Sequence, residues 1–101
     1  MEIHLKNDEI KLVKSILQQE LKKVEVWVFG SRVPPASPHK HSDLDLLLKG
    51  KEAISLISLS KLSESFENSS LPFKVELVDW HRITPEFQEH IKGHAVKLLP
   101  S

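Results

Sequence analysis

Asp43 and Asp45 stand two residues apart at the head of an apolar run that continues through Leu48. A strand sends successive side chains to opposite faces, so the two carboxylates share one face while Leu44 and Leu46 enter the other. Neighbouring acids repel each other and are costly to desolvate, so this spacing points to a cation. Upstream, the β-formers Val24 to Phe29 run into Gly30-Ser31-Arg32, and eleven residues separate Ser31 from Asp43. A Gly-Ser turn after a strand lets the backbone approach a phosphate. The hydroxyl and freed N–H groups donate hydrogen bonds, and Arg32 offers a forked cation.

A third acid completes the set if two strands lie side by side: Glu76, within the run Phe73 to Trp80. Three carboxylates on neighbouring strand ends suit Mg²⁺ or Mn²⁺ and not zinc. Such sites commonly hold two ions roughly 4 Å apart, one activating a hydroxyl and one gripping a triphosphate. Asp79 is the rival third acid, but it lies one face out of phase with Glu76. The plainer reading makes Asp43 and Asp45 solvated edge acids paired with Lys40 or Lys74. It also makes Glu76 an outward strand residue, Ser31 a turn residue and Arg32 a solvated cation. Two other patterns are weaker. His39, His41 and Asp43 form a His-x-His-x-Asp set in what reads as a loop, and Gly93 breaks the helical spacing of His90 and His94. Trp27 and Trp80 read as core or partner-facing aromatics.

The elements that must position these residues follow from periodicity. Met1 to Lys6 is a lead-in whose Ile3 and Leu5 can pack on the first helix. Asn7 or Asp8 is an N-cap, and Ile10, Val13, Ile16, Leu17 and Leu21 recur at helical spacing, predicting an amphipathic helix over 8–22. Val24, Val26 and Val28 share one face of the first strand, with Trp27 and Phe29 on the other. Three prolines in 33–42 make that stretch a loop. A helix is expected from Glu52 to Glu67, with Ile54, Ile57, Leu62 and Phe66 on its apolar stripe. The third strand places Phe73, Val75 and Leu77 opposite Lys74, Glu76 and Val78. Thr84-Pro85 starts a short helix that Gly93 ends, and Ala95 to Leu99 is an unclassified apolar tail. The order predicts a single α/β (α+β) domain over 1–101, a small mixed sheet with helices packed on it.

Composition bounds the rest. With 101 residues and an apolar share of 40% arranged in periodic runs, the chain reads as one globular domain. Fourteen basic and fourteen acidic residues cancel, so no strong nucleic-acid or membrane binding is expected. There is no cysteine, which excludes disulfides and thiolate metal sites. No apolar run approaches a membrane span and the N-terminus does not read as a signal peptide, so a cytoplasmic protein is expected.

Gly30-Ser31-Arg32, Ser42-Asp43-Leu44-Asp45-Leu46 and Val75-Glu76-Leu77-Val78-Asp79 together resemble the minimal nucleotidyltransferase family of the DNA polymerase β-like superfamily. Val26-Trp27-Val28-Phe29, Leu71-Pro72-Phe73 and Thr84 to Phe87 extend the resemblance over nearly the whole chain. It implies transfer of a nucleoside monophosphate from an NTP, usually ATP, to an acceptor hydroxyl. By position, Asp43 and Asp45 correspond to the two metal-binding acids, Glu76 to the third acid that activates the acceptor, and Gly30-Ser31 to the triphosphate cradle. Small members are commonly antitoxins paired with a helical HEPN-domain ribonuclease, to whose tyrosine they add AMP. A hetero- or homo-oligomer is therefore expected. The family often continues Gly-Ser-Arg with a basic, Gly-containing turn and carries Asp as third acid; this chain has Val33-Pro34-Pro35, a loop one residue longer than commonest, and Glu76. Those departures motivate a second reading, a module that binds a partner or nucleotide without turnover. A third reading is an unrelated α/β domain with a chance motif.

Overall fold

In the structure, a computed structural model describing residues 3–100, the first helix, α1, spans Asn7–Glu20 and buries Val13, Ile16 and Leu17. Its cap lies one residue earlier than expected. Lys6 takes the extended cap conformation, and its N–H donates to the Glu9 carboxylate at 2.9 Å. Asp8 and Glu9 still occupy the first turn, where the helix dipole favours acids. Of the lead-in, Met1 and Glu2 lie outside the described residues, while Ile3 and Leu5 pack on the core as expected.

The strands are β1 (Glu25–Phe29), β2 (Leu44–Lys49), β3 (Val75–Asp79) and β4 (Val96–Leu99), with helices α2 (Leu56–Glu67) and α3 (Pro85–Lys92). They form one mixed sheet in the order β3-β2-β1-β4. The β2–β3 pair is parallel and the other two pairs are antiparallel. A parallel neighbour requires a crossover, and α2 supplies it.

The period-two patterns divide the sheet into two faces. Val26, Val28, Leu44, Leu46 and Leu48 bury against α1 and α2 in the larger core, together with Leu62 and Phe66. The opposite face carries a smaller cluster of Phe29, Leu47 and Ile91, with Trp27, Val78 and Trp80 packed on it. That cluster covers only part of the face, which leaves the end bearing the acids uncovered by core packing.

Three features differ from the sequence reading. Helix α2 starts at Leu56 and not Glu52, because the Ser55 hydroxyl caps it by accepting from the Ser58 N–H at 3.1 Å. Ile57 therefore leaves the apolar stripe and is 70% exposed. The tail after Ala95 becomes β4, an edge strand paired to β1 with Trp27 opposite Lys97. Thr84, in contrast, caps α3 as expected, accepting from the Phe87 N–H at 3.2 Å with Pro85 at the first position. Among the described residues no helix is long and apolar enough to cross a membrane.

Candidate active site

The acids meet where β1 ends and β2 and β3 begin. Register places Phe29 opposite Asp45 and Asp45 opposite Glu76. These three residues thus form a row across three strands about 4.8 Å apart. Asp43 precedes β2 by one residue and is exposed, whereas Asp45 is partly buried. Burial first, then the charges of Asp43 and Glu76, hold the Asp45 carboxyl above the usual carboxylate range. Among the described residues no hydrogen-bond donor reaches that carboxylate. Glu76 has one partner, the exposed Lys74 ammonium at 3.1 Å. The hydrogen bond to Glu76 in turn raises the Lys74 pKa. Lys74 thus pairs with the third acid and not with the aspartates.

Gly30 lies directly against this row. Its φ is +78°, a conformation that a side chain disfavours. A Cβ built there would overlap the Asp45 Oδ2 atom. The glycine therefore does two jobs, turning the chain sharply and bringing a bare backbone against the acid. Gly30–Arg32 forms a single 3₁₀ turn. The Ser31 hydroxyl makes only a long 3.5 Å contact to the Asp43 carbonyl, so it stays available for another acceptor.

Arg32 differs from its expected place at a phosphate. It is 5% exposed, and its guanidinium donates to the carbonyls of His4 at 2.8 Å, Lys40 at 3.2 Å and Ser42 at 2.9 and 3.0 Å. The guanidinium also stacks on the Phe73 ring at 4.0 Å. Burial lowers its pKa and the Glu9 charge opposes that shift. Arg32 fixes the 33–42 loop in front of Asp43. No local pattern signals this role, since its partners are backbone carbonyls from two separate stretches and the Phe73 ring from a third.

Asp79, the rival acid, is 4% exposed. It accepts from the Ile54 and His81 N–H groups at 2.8 and 2.9 Å, with Arg82 Nε at 3.4 Å. It is a clamp at the far end of β3. Of the loop histidines, His41 has its ring engaged and His39 its backbone. His41 Nδ1 bonds the Pro72 carbonyl at 3.0 Å, and the His39 N–H donates to Ser42 Oγ. His90 and His94 pack edge to face at 5.1 Å. Trp27 and Trp80 line a separate cavity of about 160 Å³ with Lys49 and Lys92, away from the acids. Among the described residues no three His, Asp or Glu side chains stand close enough together to hold a metal ion between them. The acid row is instead an open shelf of oxygen donors whose central member has no compensating partner.

Comparison with known proteins identifies the family and the fold. The family model of polymerase β nucleotidyltransferases matches residues 11–100. A probable protein adenylyltransferase, MntA, of Haemophilus influenzae is 38% identical over 91 residues, 90% of this chain and 79% of the relative. A crystal structure of a toxin–antitoxin with AMP-PNP superposes with a TM-score of 0.75 at 19% identity, covering 91% of this chain and 73% of the other. A complex of tri-AMPylated Shewanella oneidensis HEPN toxin with its MNT antitoxin gives 0.68 at 18% identity, covering 91% and 70%. The structural matches show a shared fold, and the sequence match reaches from α1 through β4. The chain belongs to the polymerase β-type nucleotidyltransferase family.

Proposed function

We propose that this chain transfers AMP from ATP to a hydroxyl of a helical HEPN-domain partner and so acts as an antitoxin in the cytoplasm. The observation that carries the reading is the row of Asp45 and Glu76 beneath Gly30, with the Asp43 charge close enough to act on Asp45. The names of the relatives support it, a probable protein adenylyltransferase and antitoxin complexes holding AMP-PNP or an AMPylated toxin.

The acid row fits a hard divalent cation. Its donors are all oxygens, and Asp45 carries two like charges beside it with no donor to offset them. Asp43 and Asp45 would hold Mg²⁺ or Mn²⁺, with Glu76 at the margin of the set. Such an ion neutralises triphosphate charge and lowers the pKa of an attacking hydroxyl. Gly30 and Ser31 present a side-chain-free backbone and a hydroxyl to the phosphates. Arg32 holds the loop that closes the site and does not itself touch phosphate. In the transfer, the acceptor oxygen bonds to the α-phosphorus as the bond to the β-phosphate oxygen breaks. Pyrophosphate leaves and the hydroxyl proton passes to the Glu76 carboxylate.

The test is incubation with labelled ATP, Mg²⁺ and the protein encoded by the neighbouring gene. Label is expected on the partner, and the double change Asp43→Asn with Asp45→Asn is expected to abolish it. Absence of label with the wild type, or transfer that survives the double change, would sink the enzymatic reading. The Lys74–Glu76 pair and the committed Arg32 favour one alternative, a binding module without turnover. Neutralisation of the partner that is unaffected by the double change, with no labelling, selects that alternative.

A further inference from the structure

We propose that the free edge of β3 is the acceptor-docking site: an extended segment of the partner protein adds to the sheet there and lands its hydroxyl residue opposite Glu76. This inference rests on the transferase reading and adds what kind of segment the site takes.

β3 is the last strand of the sheet. The Leu44 N–H donates to the Lys74 carbonyl at 2.9 Å, so the backbone groups of Lys74, Glu76 and Val78 face β2. Alternation turns the N–H and C=O of Val75 and Leu77 outward. No strand among the described residues pairs with them. An open groove of about 390 Å³ runs along this edge, walled by Leu56, Leu59, Ser60 and Ser63 of α2. Leu56 is 67% exposed, and with Ile57 it is the most exposed large hydrophobic among the described residues. An unpaired edge beside a partly apolar groove is what strand addition requires. The backbone supplies affinity and alternate side chains supply specificity.

The register then specifies the guest. Phe29, Asp45 and Glu76 already form a row, and an added strand contributes the next member on the same face. In an antiparallel addition, Glu76 falls at a non-hydrogen-bonded position, where opposed Cβ atoms come within about 4.5–5.5 Å. A serine, threonine or tyrosine there stands beside the third acid. Its two neighbours point to the α2 side. Ile54 is tied to Asp79, and Ser63 lines a groove with Val75, so α2 runs against β3. Leu56 and Leu59 therefore lie toward Leu77, and the serines toward Val75. The guest needs an apolar residue on the Leu77 side of its hydroxyl and accepts a small or polar one on the other. A second copy of this chain is the poorer occupant, since pairing through the same edge would add another Glu76 to a face already crowded with acids. The edge beside the groove is short, with outward backbone groups at Val75 and Leu77, enough for an acceptor that must leave after transfer.

The test uses the protein encoded by the neighbouring gene, labelled ATP and Mg²⁺. Hydrogen exchange at the Val75 and Leu77 amides is expected to slow when that partner binds. Leu56→Glu and Val75→Pro are each expected to raise the KM for the protein acceptor roughly tenfold while the KM for ATP holds. The labelled hydroxyl residue, mapped by mass spectrometry, is expected to have an apolar neighbour. Unchanged acceptor KM in both variants, or partner binding that leaves both amides unprotected, overturns the proposal. Protection that depends only on the concentration of this chain assigns the edge to a second copy and overturns it too. A wild type that labels nothing defeats the transferase reading instead, and amide protection by the unlabelled partner still decides whether the edge is the docking site.

Discussion

Asp45 and Asp79 sit at opposite ends of the β2–β3 pair and have opposite surroundings. Asp79 is enclosed by two backbone N–H donors and Arg82, so its charge is spent inside the fold. Asp45 is half enclosed among acids and has no donor of its own. One carboxylate stabilises the native state and the other costs stability to keep. Strain of that kind at a strand end is expected where a ligand supplies the missing charge. Asp79 is thus spent on the fold, and Asp45 is an acid the fold leaves without a donor.

Four measurements sharpen or break that contrast. Replacing Asp43 and Asp45 together by Asn should reduce AMP transfer by roughly 10³-fold or more, with circular dichroism unchanged. Gly30→Ala should reduce transfer about 100-fold, since a Cβ displaces the Asp45 carboxylate and about an ångström of displacement matters that much. Its Tm should fall as well, because the backbone stays at positive φ. Asp79→Ala should behave in the reverse manner. It strands three donors and should cost about 3 kcal/mol, lowering Tm by roughly 10 °C or more in a calorimetric scan, with transfer per folded molecule within about twofold.

Asp45→Asn alone gives the smallest effect and the most telling sign. The folded-state pKa of Asp45 is raised, so its protonated form is the one the fold prefers. The resulting penalty is absent below the ordinary carboxylate pKa and develops as pH rises through the folded value. In metal-free buffer at pH 7 the variant should melt roughly 2–4 °C above the wild type. That advantage should vanish toward pH 3. A variant that melts below the wild type at pH 7 would mean that Asp45 stabilises the fold, and the contrast with Asp79 would collapse.

The site was legible in the sequence where its logic is local. The spacing of Asp43 and Asp45 predicts neighbouring carboxylates, and their charges do act on each other although Asp43 precedes β2, while Gly30 marks a turn by its type. Thr84-Pro85 marked the start of α3 for the same reason. What escaped depends on distant partners. β4 is a four-residue run whose only claim to be a strand is the open edge of β1. The start of α2 at Leu56 follows its Ser55 cap, and the residue before that cap, Ile54, is tied to Asp79, 25 residues away. Arg32 read as a phosphate cation from its neighbours, yet carbonyls from His4, Lys40 and Ser42 consume it.

The Arg32 clamp has one more consequence. Everything it grips in the 33–42 loop is main chain, and the far anchor at His4 is main chain as well. That grip is therefore indifferent to the side chains at Ser37, His39 and Lys40, while His41 and Ser42 add anchors of their own. Ser37, His39 and Lys40 line one wall of a broad groove facing Lys6 and Glu9. Those residues form an exchangeable cassette on a fixed mount. Drift at these positions can recut what the site greets while the acids behind it stay in register.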